Sequence, residues 1–459
     1  MENKNNFLGT EPIGKLLWKL AIPTLAAQII NMLYNLVDRI YIGQGVGSLA
    51  LTGLGVCLPI IMIVSAFAAL VSAGGAPRSS IFMGQKDYGS AERTLGSCFT
   101  LQLIVSAVLT AVLLIWNRPL LMAFGASENT IEYAVQYMNI YALGTIFVQL
   151  TLGMNAFITA QGFTKTSMLS VLIGAGCNII LDPVFIFGFH MGVRGAALAT
   201  IISQCLSTIW VLAFLFSDRS TLRIRPRYMR LPPRIILPCL ALGLAPFIMQ
   251  ASESVIAVCF NSSLLKYGGD IAVTTMTILT SVMQFALLPL QGLGQGAQPI
   301  MSYNYGARNS ERVRSAFKLL LKDSMLYSLG LWLFVQLFPK LFISLFNQEA
   351  ALLSFAPTPL RIYVGCLGIF GAQIACQMAF NALGNARSSI MVAVMRKFIL
   401  LLPLIYLMPH ILTGDPTMAV YTAEPIADLI SVVFTVVLFR RQFKQAMDRL
   451  EGPEERSLI

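Results

Sequence analysis

Four polar residues, Gln28, Asn31, Asn35 and Asp38, recur through the first apolar stretch, IPTLAAQIINMLYNLVDRIYIG. At about 100° per residue they fall within a sector of roughly 80° on one helical face, with Ile29, Ile30, Leu33, Leu36 and Val37 on the remainder. A carboxylate near the centre of a membrane helix costs about 2.5–3.5 kcal/mol, so it faces a protein interior or a wet cavity. A second acid, Asp182, follows Asn178 by one turn in GAGCNIILDPVFIF, and Pro183 behind it frees a carbonyl in the preceding turn. Thr200 and Tyr137 fall at a similar level of their own apolar stretches. Two carboxylates, an amide, a hydroxyl and a phenol suit a proton shared between close acids, or a hard monovalent cation such as Na+. The alternative is that each Asp hydrogen-bonds a neighbouring helix as structural glue. Intramembrane acids favour the functional reading.

The elements that must position these groups are membrane helices. The 459 residues are 56% hydrophobic and only 12% charged, with mean hydropathy +0.73, which excludes a soluble globular domain and a disordered chain. Apolar runs of roughly 20–30 residues match the span of a hydrocarbon core and are too long for barrel strands. Twelve spans are expected, at about 16–42, 50–76, 93–116, 131–160, 166–187, 193–216, 235–262, 271–301, 315–338, 352–382, 388–409 and 417–440.

The net charge of +11 could point to nucleic acid, but the positive residues concentrate in alternate loops. The opposite loops hold only Arg118, Arg194, Lys266, Lys340 and Arg361. The positive-inside rule then places both termini in the cytoplasm. The expected location is the plasma (inner) membrane, as a multi-pass protein. Asp38 and Asp182 both fall in the outer part of the bilayer on this topology. MENKNNFLGTEPIGK lacks the apolar core and cleavage site of a signal peptide, so the first span is read as retained. Eight cysteines scattered singly, with no C-x-x-C pair, read as packing residues.

The two halves repeat each other at an offset near 222 residues. Ile22-Pro23 answers Ala245-Pro246, Ile140-Tyr141 answers Ile362-Tyr363, GQKDYGSAER answers YGARNSER, and TAQGFTKTS answers NALGNARSS. The expected fold is therefore an all-α polytopic protein of two pseudo-symmetric six-helix bundles around a central cleft. The bundles occupy 1–216 and 235–440, joined by a cytoplasmic Arg/Pro-rich linker at 217–234 and followed by a cytoplasmic tail at 441–459. Two like-oriented bundles with a cleft between them suit alternating access.

The second half keeps a polar stripe with a different charge pattern. Gln250 and Glu253 answer Gln28 and Asn31, but no acid answers Asp38. Arg396 and Lys397 lie within the eleventh span, and Gln373, Gln377 and Asn381 recur at i, i+4, i+8 in the tenth. These residues read either as a substrate site or as an ion pair and interhelical hydrogen bonds. Catalysis has little support: there are only two His, no HExxH, no G-x-S-x-G and no G-x-x-x-x-G-K-[ST], so the chain is read as a non-enzyme without a cofactor, driven by a gradient or a partner.

MLYNLVDRIYIGQGVG, GGAPRSSIFMGQKDYGSAER, NAFITAQG and CNIILDPVFIFGF, placed within the two six-helix repeats, resemble the multidrug and toxic compound extrusion (MATE) family. The resemblance implies a V-shaped antiporter that exports organic cations or amphipathic drugs in exchange for inward Na+ or H+. By position it implies that Asp38, Asn178, Asp182 and Thr200 form the ion-coupling cluster, with Tyr137 and Asn155 as polar neighbours. A straight helix would put Asn155 about 27 Å from Tyr137. Some members use acids in the second bundle; here Glu253 matches one, and the tenth span carries no Asp. The expected partners are small-molecule substrates and the lipid bilayer, and the chain is read as a monomer. Two rivals are a lipid-linked oligosaccharide flippase, which calls for cations lining the cleft, and a non-transporting receptor or scaffold.

Overall fold

The structure, a computed structural model, describes residues 7–346, 348–412 and 414–452. Residues 1–6 of the expected N-terminal segment and 453–459 of the expected tail lie outside them. In hydrocarbon a backbone must satisfy its own polar groups, and the described residues accordingly form helices and turns without strands. They resolve into twelve spans. In the first half these are α1 (Ile13–Gly45), α2 (Ser48–Gly84), α3 (Tyr88–Ile115), α4 (Ile131–Leu143 and Thr145–Ala160), α5 (Thr164–Gly188) and α6 (Val193–Phe216). In the second half they are α7 (233–268), α8 (270–306), α9 (Ser310–Leu337), α10 (Pro357–Ala382), α11 (Ala386–Ile411) and α12 (Pro416–Glu451).

The duplication is written into the backbone. Lys86 and Arg308, 222 residues apart, both adopt left-handed φ values, 62° and 55°. Each is followed by an N-cap: the Ser90 amide donates to Asp87 Oδ1 at 3.0 Å, and the Arg312 amide donates to Asn309 Oδ1 at 3.1 Å. Gly162 and Gly384 are likewise left-handed mates, at 85° and 74°. Behind them, Thr159 donates to Ser167 at 2.9 Å and Ser389 donates to Asn381 at 2.8 Å, so the same corner is tied in both halves.

The halves meet as a self-complementary pair. A Cβ on Gly84 would strike the Tyr303 carbonyl, and one on Gly306 would strike the Ile81 carbonyl, its repeat mate. Such reciprocity is what a two-fold axis produces. One apolar core is shared by both halves and includes Leu16, Leu20, Phe157, Ile300, Phe380 and Phe439, near the basic loops. At the other end each half has its own core, around Leu54, Tyr137 and Ile186 in the first and Phe260, Leu360 and Tyr421 in the second. The bundles are thus closed together at the basic end and separate at the other.

One expectation is corrected. The break anticipated between the seventh and eighth spans is one residue wide: helix runs from 233 to 306 except at Gly269, whose φ of 66° only glycine adopts cheaply. The helix of α12 continues through 441 to Glu451, held by Arg308, which donates to the Leu450 and Gly452 carbonyls at 3.1 and 2.6 Å. The linker is anchored too. Gln161 Oε1 accepts from the Thr221 and Leu222 amides at 2.9 Å each, and Arg225 pairs with Glu92 at 2.7 Å.

Candidate functional site

Close helix approach sets the first-half site. At the end of α1, a Cβ on Gly45 would run into Ile186 and Phe187 of α5, so glycine is what lets these helices touch. On the other side of that turn, Gly195 of α6 lies against Phe185 and Met191, where a Cβ would sit 3.0 Å from each. The α5 segment Val184–Gly188 after Pro183 is a wider π-helical turn, with the Phe189 amide bonded to the Val184 carbonyl at 2.9 Å. Such turns gather at functional sites.

Asp38 of α1, 9% exposed, faces Asp182 of α5, 0% exposed, at hydrogen-bonding range. Asp38 Oδ1 and both oxygens of Asp182 are buried with no donor among the described residues. As two carboxylates they repel in a low dielectric, and one added proton or cation turns that repulsion into a bond. Thr200 of α6 donates to the Ala196 carbonyl at 3.0 Å and accepts from Asn178 Nδ2 at 3.4 Å. The Asn178 carbonyl oxygen is buried without a donor. Tyr137 of α4 lies beside Thr200, and its ring stacks on Tyr141 with centroids 6.2 Å apart. Asp38, Asn178, Asp182, Thr200 and Tyr137 therefore come together. An unmet concentration of oxygen acceptors surrounds the acid pair.

Tyr34 and Tyr141 complete the wall and were not anticipated: Tyr34 lies near both acids and Tyr141. Tyr34 precedes Asp38 by one turn and Tyr141 follows Tyr137 by one turn, a spacing that ordinary packing aromatics share. Arg39 acts on Asp38 electrostatically but is itself exposed.

The rest of the α1 stripe does not join. Gln28 crosses to the other half, donating to Gln295 Oε1 of α8 at 3.4 Å. Asn31 and Asn35 are exposed, and Asn35 bonds back to the Asn31 carbonyl at 2.7 Å. Asn155 is also elsewhere. Its span bends by 57° at Gly144, and Asn155 Nδ2 donates to the Ser167 carbonyl at 3.3 Å, beside the Thr159–Ser167 corner. Of the polar network expected of Gln28, Asn31, Asn35, Tyr137 and Asn155, the structure brings only Tyr137 to the acids: the α1 stripe faces different neighbours at different depths, and Asn155 lies beyond the bend in α4.

In the second half Glu253 pairs with Lys397, Nζ to Oε1 at 2.6 Å, and not with Arg396. Arg396 donates to Asp428 Oδ1 at 2.7 Å and Glu424 Oε1 at 3.0 Å and lies 4.7 Å from the Phe370 ring centroid. Both bases sit in a π-helical segment of α11, Met395–Leu401. Glu424 and Asp428 were missed, although two acids one turn apart in an apolar span are a visible signal. Three acids facing two bases make a largely self-neutralised ion network. Gln373 is buried with neither amide atom partnered, Gln377 and Gln250 are half-buried, and Asn381 ties α10 to α11 through Ser389.

The chain's similarity to known proteins follows the same architecture. It is 23% identical over 449 residues to the multidrug export protein MepA of Staphylococcus aureus, covering 96% of this chain and 97% of the relative. Against the MepA of Staphylococcus haemolyticus it is 24% identical over 382 residues, 83% of this chain and 84% of that protein. Its fold superposes on the crystal structure of a MATE protein in a bent conformation with a TM-score of 0.92 at 23% identity, over 98% of this chain and all of the other. A MOP superfamily transporter from Pyrococcus furiosus gives 0.90 at 24% identity, over 99% and 100%. The MatE family model matches twice, at residues 23–184 and 246–407, once in each structural repeat. The chain belongs to the MatE family.

Proposed function

We propose that the chain is a secondary active antiporter that exports organic cations or amphipathic drugs in exchange for inward H+ or Na+. In this reading it works as a monomer in the plasma membrane with both termini in the cytoplasm. The observation that carries it is the Asp38–Asp182 pair, with three buried oxygens that lack donors. The MepA relatives are multidrug export proteins, which supports the substrate class.

The pair links α1 to α5, so its charge state acts on how those helices pack. Empty, the acids repel across the contact at Gly45; one proton or Na+ draws them together. Asn178, Thr200 and Tyr137 offer oxygens to such an ion and fix its position. Neutralising the pair shifts the outer part of α1, which bends about Pro23, and reshapes the space beside it from which substrate leaves outward. The network in which Lys397 and Arg396 pair with Glu253, Glu424 and Asp428 supports an ion-pair role in the second half, while the acids of the first half have no such base among the described residues and carry the coupling in this reading.

Dye efflux from vesicles reconstituted with the purified protein tests the proposal, with an inward pH gradient and an inward Na+ gradient imposed in turn. One gradient should drive dye export against its concentration and the other should not. Dye movement indifferent to both gradients would contradict ion coupling.

A further inference from the structure

Four of the six arginines of the linker divide into two kinds. Arg223 pairs with Asp218 at 2.5 Å and Arg225 pairs with Glu92 at 2.7 Å, so these two hold the linker to itself and to α3. Arg227 and Arg230 enter no ion pair among the described residues, and neither does Arg93, at the start of α3. These three line one cleft of about 260 Å³ with Ser97, Tyr228, Pro232 and Ile235.

Its construction is specific. Tyr228 is held between two guanidinium groups, Arg227 at 4.5 Å and Arg93 at 5.6 Å from its ring centroid. The close seat of Tyr228 depends on Gly96, where a Cβ would sit 2.9 Å from the Tyr228 carbonyl. The acids nearest the cleft are accounted for: Glu92 is neutralised by Arg225, and Asp87, which acts on Arg93, caps α3 through the Ser90 amide. Three arginines without a carboxylate partner thus line one space, and arginine side chains match a phosphate by bidentate hydrogen bonds.

The cleft also straddles a boundary of polarity. Ser97 lies where α3 turns from charged to apolar sequence, and Pro232 and Ile235 lie where the linker enters α7. Arginines at headgroup level above an apolar wall fit a membrane phospholipid better than a free ion.

We propose that this cleft is a binding site for the phosphate of an anionic phospholipid headgroup in the leaflet facing the basic loops. A bound headgroup would bridge α3 of the first half and the linker that leads to the second.

Native mass spectrometry of the full chain tests the proposal, after titration with phosphatidylglycerol or phosphatidylcholine in detergent. Wild type should retain phosphatidylglycerol in preference to phosphatidylcholine. The exposed-site double variant Arg227→Gln/Arg230→Gln should weaken that retention by about tenfold or more, and Arg234→Gln, outside the cleft, should leave it unchanged. Arg93→Gln should weaken it too. Size-exclusion and thermal-melting profiles of each variant separate a lost site from a lost fold. Equal retention of both lipids by wild type, or undiminished phosphatidylglycerol retention by a folded double variant, would overturn the proposal. So would binding of inorganic phosphate at millimolar concentration without any preference for the anionic lipid.

Discussion

Asp38 and Asp182 are open to direct test, because they face each other with three buried oxygens that lack donors among the described residues. Asp182→Asn replaces a repelling acceptor with a donor to Asp38. It should keep the contact between α1 and α5 while removing the ion's second carboxylate. The expected outcome is folded protein with gradient-driven efflux reduced at least about tenfold, checked by melting temperature and vesicle transport together. In the second half Arg396→Met leaves Glu424 and Asp428 buried without their base, which should cost about 3–5 kcal/mol, read as a large fall in melting temperature. The acids of the first half were legible because a carboxylate in an apolar helix demands a reason. Tyr34 and Tyr141 were not, since an aromatic residue one turn from a polar one is indistinguishable from ordinary packing until the neighbouring helix is in place.

At the scale of elements, the contact at Gly84 and Gly306 is set by backbone against backbone. Gly306→Ala should lower the melting temperature by an amount corresponding to about 1–3 kcal/mol, because the Ile81 carbonyl cannot rotate out of the way as a side chain could. Spin-label distances between the basic ends of α2 and α8 should lengthen as well. All twelve spans and their pairing into repeats were legible from run length and from motifs at an offset near 222. Their irregularities were less so. The left-handed Gly269 leaves α7 and α8 almost one helix, and the bend at Gly144 and the π-helical turns depend on tertiary packing that overrides local sequence. Asn155 illustrates the consequence, since its distance from the acid pair followed from helix rise, but its true partner, Ser167, lies on a different span.

For the whole molecule, one shared core at the basic end and two separate cores at the other make the basic end the closure that must open for a substrate to enter from that side. A latch crosses it. Arg312 of α9 donates to the Leu8 and Glu11 carbonyls at 3.1 and 2.8 Å and to Asn304 at 3.1 Å, while Phe7 lies against Gly162 of the first half. Arg312→Ala should loosen this end, raising the reactivity of Gln295→Cys toward a water-soluble maleimide applied from the basic face by severalfold. Unchanged labelling would mean that the apolar core alone keeps the closure shut. The two-bundle plan was legible in the sequence; the side on which the bundles close was not, because it depends on how the helix ends of the two halves pack and not on run length or motif offset.

In the proposed function the Asp38–Asp182 pair couples an ion gradient to export. The most direct test is dye movement in vesicles containing Asp38→Asn, measured once with a counter-ion gradient and once with only a dye gradient. Coupling through the pair predicts that downhill dye movement persists while gradient-driven export is lost. Full gradient-driven export by folded Asp38→Asn would contradict it.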